Sequence, residues 1–244
     1  MSKKAAQRSR AERAASVIVE QSARERRRNL TITAAVVGVV VVVLVVAFLA
    51  SRAGYTSGDA AQAPNGVDGY AVPVGSDDAP TTLTIFEDPQ CPVCRDFEDA
   101  VGDRLSTAIE AGEVRVEYRI VSFLDGASPN AYSSRAANAL MAVQDTAGPE
   151  VFAAFHGTLF ANQPEEGTEG PDDDQLVAWA VEAGASESDV RRLIEDGAFD
   201  QFVVNATDQM SRDGVTGTPT VLIDGEPAGD TPAATVQAVL DLLG

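Results

Sequence analysis

Two of the 244 residues are cysteines, Cys91 and Cys94, and they fall in one run: Asp88-Pro89-Gln90-Cys91-Pro92-Val93-Cys94. A Cys-x-x-Cys pair at a helix start puts its first sulfur at the positive end of the helix dipole, where thiolate is stabilised, and its second one turn inside. Such a pair closes into a disulfide, opens by exchange and closes again, so the disulfide is the only cofactor expected. Two bland readings compete. A structural zinc needs four ligands, and these cysteines with the single His156 fall short unless subunits share the site, so no metal is expected. A purely structural disulfide across two residues constrains little of the unfolded chain. Redox chemistry is favoured over both.

Other residues carry weaker signals. His156 in PEVFAAFHGTLF shares a helical side with Phe152, Leu159 and Phe160, which favours a core-edge histidine over a catalytic one. Glu165, Glu166, Glu169, Asp172, Asp173 and Asp174 lack the ligand alternation of an EF-hand, and a solvated loop with Asp at a helix start explains them better. Asn205-Ala206-Thr207 matches a glycosylation sequon but falls in a helical stretch.

The elements around the cysteines read as α/β. TTLTIFED (81–88) is a short β-rich run ending at a Pro-containing turn. Phe97, Val101, Leu105 and Ile109 then recur every four residues, one stripe of a helix. VRVEYRIV (114–121) alternates apolar and polar residues as a half-buried strand does. From about 128 to 212 the signals are helical, broken at Gly148-Pro149, the 163–171 loop and Gly197. TPTVLIDGE follows as a strand with an Asp224-Gly225 hairpin signal, and Val236, Val239, Leu240 and Leu243 mark a last helix beginning at Thr231-Pro232.

Charge divides the chain more sharply than its net of −19 suggests. Residues 1–29 hold nine basic and three acidic groups, a balance of +6, whereas residues 53–244 sum to −26. So acidic a region disfavours nucleic acid as a partner, because neutralising phosphates takes Lys and Arg that it lacks. Between the two lie 21 uncharged, Val-rich residues, 30–50, long enough at ~1.5 Å per residue to span a bilayer's ~30 Å hydrocarbon core. A cleaved signal peptide usually has a shorter apolar region and a shorter basic lead, so an uncleaved anchor is favoured. With no cysteine near the span, a lipoprotein anchor is excluded. The positive lead puts the N-terminus in the cytoplasm, against membrane lipid, and the acidic part outside in a single-pass arrangement. Residues 51–68 read as a flexible linker, and the folded domain begins near 69.

FEDPQCPVCRDF after a strand, with GVTGTPTVLIDG much later, resembles the thioredoxin superfamily, specifically its DsbA-like branch with a helical insertion, over about residues 69–244. The resemblance implies a thioredoxin fold in which Cys91 is the nucleophile, Cys94 the resolving thiol and Pro219 a cis proline opposite them. It also implies substrate contact at Pro92, Val93 and the backbone of Thr218, by strand addition. Such relatives usually carry a buried acid six residues before the first cysteine. Here that position is Ile85, so a proton acceptor for Cys94 has to be Glu87, Asp88 or water. For Asp88, a turn-capping role competes.

The expected activity is thiol:disulfide exchange outside the cytoplasm, on unfolded or cysteine-containing secreted and membrane proteins. Oxidase action, with recycling by a membrane quinone-linked partner, is favoured over reductase or isomerase action. A tethered thioredoxin-fold binding module or metal-delivery protein is the alternative.

Overall fold

A computed structural model describes residues 60–244 of the chain. The basic tail, the expected membrane anchor at 30–50 and the first part of the linker lie outside the described residues. Among those described, no helix is long and apolar enough to cross a membrane.

Five strands, β1 (Val72–Val74), β2 (Thr81–Glu87), β3 (Val114–Ile120), β4 (Thr220–Ile223) and β5 (Glu226–Pro227), form one sheet in the order β1-β3-β2-β4-β5. β2 and β3 run parallel, and the other pairs are antiparallel. Strict alternation of buried and half-buried residues along β3 bears out its period-two pattern. β1 has no counterpart in the sequence reading. Three residues with a central proline carry no periodic signal, and Pro73 is tolerated because β1 is an edge strand. At the far edge Asp224 (φ 50°) and Gly225 (φ 86°) both adopt the left-handed conformation of a tight hairpin turn between β4 and β5.

α1 (Pro92–Glu110) has proline at its first position, where no backbone donor is lost, and buries Phe97, Val101, Leu105 and Ala108. The helical insertion comprises α2 (Tyr132–Ala147), α3 (Pro149–Ala161), α4 (Asp173–Glu182), α5 (Glu187–Glu195) and α6 (Asp200–Arg212), and α7 (Pro232–Leu243) closes the fold. α1 packs on α7 and on α3, while α6 lies against β3. Gly148, at φ 83°, ends α2 and lets Pro149 start α3 in the next residue. The acidic run is a solvated loop and helix start: Asp172 accepts from the Gln175 amide at 2.9 Å and caps α4, and Asp173 and Asp174 pair with Arg135 and Arg191.

The direction of each side chain on β2 positions the site. Leu83, Ile85 and Glu87 share one face under α1, and Phe86 points to the other face, into a small cluster with Val121 and Met210.

Candidate active site

Cys91 caps the N-terminus of α1, and its carbonyl accepts from the amides of Cys94 (3.1 Å) and Arg95 (3.2 Å). Both cysteines are free thiols. Cys91 keeps 6% of its surface exposed and Cys94 none, so only the first is open to attack. Both pack against Phe160, Val93 and Leu124. The Cys91 thiol donates to the carbonyl of Thr218 at 3.3 Å, and the Thr218–Pro219 peptide is cis. Pro92, Val93, Thr218 and Pro219 are all half-buried around this sulfur.

The two thiols differ electrostatically. A hydrogen bond from the Cys94 thiol is the largest effect on Cys91; with help from the Thr218 side chain and the amides of Cys94 and Val93, it outweighs burial and lowers Cys91 to about 6. Cys94 is pushed upward by burial, by that same bond and by the negative charge of Glu87. The first sulfur therefore gives up its proton far more readily than the second.

Of the two acids expected to handle that proton, Asp88 is fully engaged. One oxygen accepts from the Gln90 amide (2.8 Å), the other from the Leu124 amide and the Ser133 hydroxyl (2.7 Å each). It ties three segments together. Glu87 differs: it is fully buried, its Oε1 has no hydrogen-bond partner, and burial above all pushes it up to about 8. The acid missing at Ile85 therefore reappears two residues later on the same strand face, since a shift of two preserves the side of the sheet.

Glu87 has two further neighbours. His156 Nε2 on α3 lies 2.9 Å from Glu87 Oε2, and Glu98 on α1 comes within 4.8 Å of the Glu87 carboxyl and 4.0 Å of His156 Nδ1. Burial first, then the charge of Glu87, pushes Glu98 up to about 8. Burial also lowers His156, so its ring is neutral. The ring stacks among Tyr118, Phe152 and Phe160, as its apolar helical side foretold, but its bond to Glu87 spans 69 residues and has no local signature. Among the described residues, Glu87, Glu98 and His156 are also the group whose ligand-type atoms come close enough together, within 4.8 Å, to hold an ion. Neither cysteine belongs to that group.

A family model described as thioredoxin matches residues 68–241. The chain belongs to the thioredoxin family. Among solved structures, reduced DsbA from Mycobacterium tuberculosis is 32% identical with a TM-score of 0.60, covering 72% of this chain and 93% of that one. Reduced DsbG from the same organism is 33% identical with a TM-score of 0.61, covering 72% and 88%. These likenesses support disulfide exchange in general, by an oxidoreductase of DsbA or DsbG type. Among curated proteins, the serine/threonine-protein kinase PknE of M. tuberculosis (strain ATCC 25618 / H37Rv) is 31% identical over 155 residues, which cover 61% of this chain and 27% of the kinase. The chain thus spans about a quarter of the length of the curated relatives it matches.

In this thioredoxin-family domain the insertion also steadies the cysteine loop. The Gln163 side chain donates to the carbonyls of Pro89 (3.1 Å) and Cys91 (2.9 Å), and Gln90 returns a bond to Thr168 (3.3 Å). The supporting loop is itself pinned by paired bonds between Asn130 and Gly170. Gln163 marks a helix break in the sequence; its contact with the cysteines, 72 residues back, is visible only in the fold.

Proposed function

We propose that the protein is an extracytoplasmic thiol:disulfide oxidoreductase, held at the membrane by residues 30–50, that forms or exchanges disulfides in secreted and membrane proteins through Cys91-Pro92-Val93-Cys94. The observation that carries this reading is the asymmetry of the two sulfurs. Cys91 is a lowered, partly open thiol against the Thr218–Pro219 turn, and Cys94 is a buried, protonated one behind it.

In the oxidase direction, a substrate thiolate attacks Cys91 Sγ, the Cys91–Cys94 bond breaks, and Cys94 leaves with the electron pair and takes a proton from Glu87. A second substrate thiolate then attacks the mixed disulfide, and Cys91 leaves as the stabilised thiolate. Pro92, Val93 and Thr218 flank the attacked sulfur and bound the surface on which an extended substrate segment docks. The Cys91–Cys94 disulfide is restored by a membrane quinone-linked partner. Asp88 acts as the loop's anchor and Glu87 as the proton carrier, because only Glu87 has a free oxygen. The metal-delivery reading is disfavoured, since among the described residues those grouped closely enough to hold an ion include neither sulfur.

Replacement of each cysteine tests the roles. Cys91→Ser abolishes exchange, and Cys94→Ser accumulates a mixed disulfide with substrate, read on non-reducing gels. Full activity of Cys94→Ser with no trapped species sinks the assignment. Trapping thiols in cells with an alkylating reagent reads the direction: mostly disulfide supports an oxidase, and mostly dithiol overturns it in favour of a reductase or isomerase.

A further inference from the structure

Cys91 and its surroundings form the face on which substrate docks, so a docked substrate covers the one of the two cysteine sulfurs that is open to solvent. Cys94 must gain or lose a proton while that cover is in place. Behind it, a cleft of about 340 Å³ opens between α1 and α3, lined by Glu98, Asp103, Tyr118, His156 and Phe160 among others, and its walls include none of Cys91, Val93, Thr218 or Pro219. A substrate docked on that face therefore leaves the cleft uncovered.

We propose that Glu98 is the solvent gate of a rear proton route to Cys94, and that His156 is the positioning residue that holds Glu87 on that route. Glu87 and Glu98 bring carboxyl oxygens within 4.8 Å of one another, beside His156. Each carboxyl has one buried oxygen, Oε1, with no hydrogen-bond partner, free to take or give a proton. Glu87 is sealed, but the side chain of Glu98 is 11% exposed and lines the cleft, so a proton on Glu87 reaches water through Glu98. His156 binds Glu87 through Nε2 at 2.9 Å and presents Nδ1 toward Glu98 at 4.0 Å. Its ring is fixed by Tyr118 and Phe160 at 4.6 and 4.8 Å between centroids.

The other titratable groups facing the cluster do not compete for the proton. Tyr118 on β3 is held neutral by burial. Asp99 and Asp103 on α1 line the mouth of the cleft as exposed acids, which favour the approach of cationic proton donors. Among the described residues, the basic side chain beside Glu87 and Glu98 is the neutral His156, and no Lys or Arg forms an ion pair with either.

The step balances as follows for an oxidase and runs backward for a reductase. As Cys94 leaves Cys91 with the electron pair of the broken S–S bond, its sulfur takes the Glu87 proton. Glu87 takes the Glu98 proton, and Glu98 takes one from water in the cleft.

This route rests on the proposed exchange chemistry, so the experiment separates the two. The full-length protein in detergent is mixed, as the disulfide, with a reduced peptide containing two cysteines. Peptide oxidation is followed from pH 5.5 to 8.5 in H2O and D2O. Wild-type protein that fails to oxidise or reduce any such peptide overturns the exchange reading itself. With exchange established, Glu98→Ala slows the reaction about tenfold or more near neutral pH, and added imidazole, small enough to enter the cleft, restores the rate with rising concentration. The isosteric Glu98→Gln, which keeps the packing, slows it equally. His156→Gln, whose amide can still bond Glu87, stays close to wild type, and His156→Ala shifts the pH profile. A wild-type rate and isotope effect in Glu98→Gln, or a slow Glu98→Ala that imidazole leaves slow, overturns the route.

Discussion

Replacing Val93 with histidine changes the redox balance in a direction and by an amount that the site predicts. Every group that lowers Cys91 is an uncharged donor: the Cys94 thiol, the Thr218 side chain and the amides of Cys94 and Val93. Cys91 is lowered from 9.0 to about 6, and a depressed thiol stabilises the reduced form above its ordinary value and loses that effect as pH falls through about 6. At pH 7 the stabilisation is about 1.4 kcal/mol, about 30 mV for this two-electron couple. A thiol at ~3.5, as in DsbA, gains about 4.7 kcal/mol at pH 7, about 100 mV. The difference puts this protein near −190 mV on the scale where DsbA stands at about −120 mV. An imidazolium ~5 Å from the thiolate, at an effective dielectric constant of ~20, adds about 3 kcal/mol. Because the imidazole is only partly protonated in the disulfide form, Val93→His raises the potential by about 40 to 60 mV. Equilibration with glutathione buffers, followed by alkylation and mass measurement, reads both values. A wild-type potential already at DsbA's value, or a substitution that leaves the potential within about 10 mV, refutes the reasoning.

Three further outcomes are expected. Asp88→Ala frees the Gln90 and Leu124 amides and the Ser133 hydroxyl inside the protein, so urea unfolding shows a loss of about 3 kcal/mol. Glu87 is raised from 4.5 to about 8; its contribution to stability is complete below about 4.5 and lost as pH rises through about 8, amounting to about 3 kcal/mol by pH 7. Glu87→Gln therefore flattens the fall of the melting temperature between pH 5 and 8, and an unchanged slope counts against the buried acid. A β-carbon at Gly170 runs into the Tyr132 ring, so Gly170→Ala destabilises by about 1–3 kcal/mol in the same unfolding assay, and a neutral result shows that the loop yields.

The parts of the site readable in the sequence are those whose chemistry is local. Cys91 and Cys94 sit within one helical turn, and Thr218-Pro219 precedes a strand and a hairpin turn whose residues announce themselves. Phe97, Val101 and Leu105 face the core as their spacing implies, although Ala108 takes the place expected of Ile109, which is only half-buried. Where side chains converge from separate elements, no spacing encodes the meeting. Glu87, Glu98 and His156 come from β2, α1 and α3. Glu98 reads as one more acid on an acidic helix, and only burial sets it apart. β1 escaped notice because three residues hold too little pattern, and its identity as a strand comes entirely from its pairing with β3.

The sheet order has a consequence for timing. β2, next to the cysteines, pairs with β4 from the far end of the domain, and Cys91 meets Thr218 across 127 residues. Contacts so distant along the chain close late in folding, because their loop entropy is lost before they return any stability. A chain still being made holds Cys91 and Cys94 in their helix but not Thr218, so the thiol is lowered by Cys94 while its face is still uncovered. With Cys94 as its single internal partner, an uncovered Cys91 is exposed to mixed disulfides with other thiols until the last strand arrives.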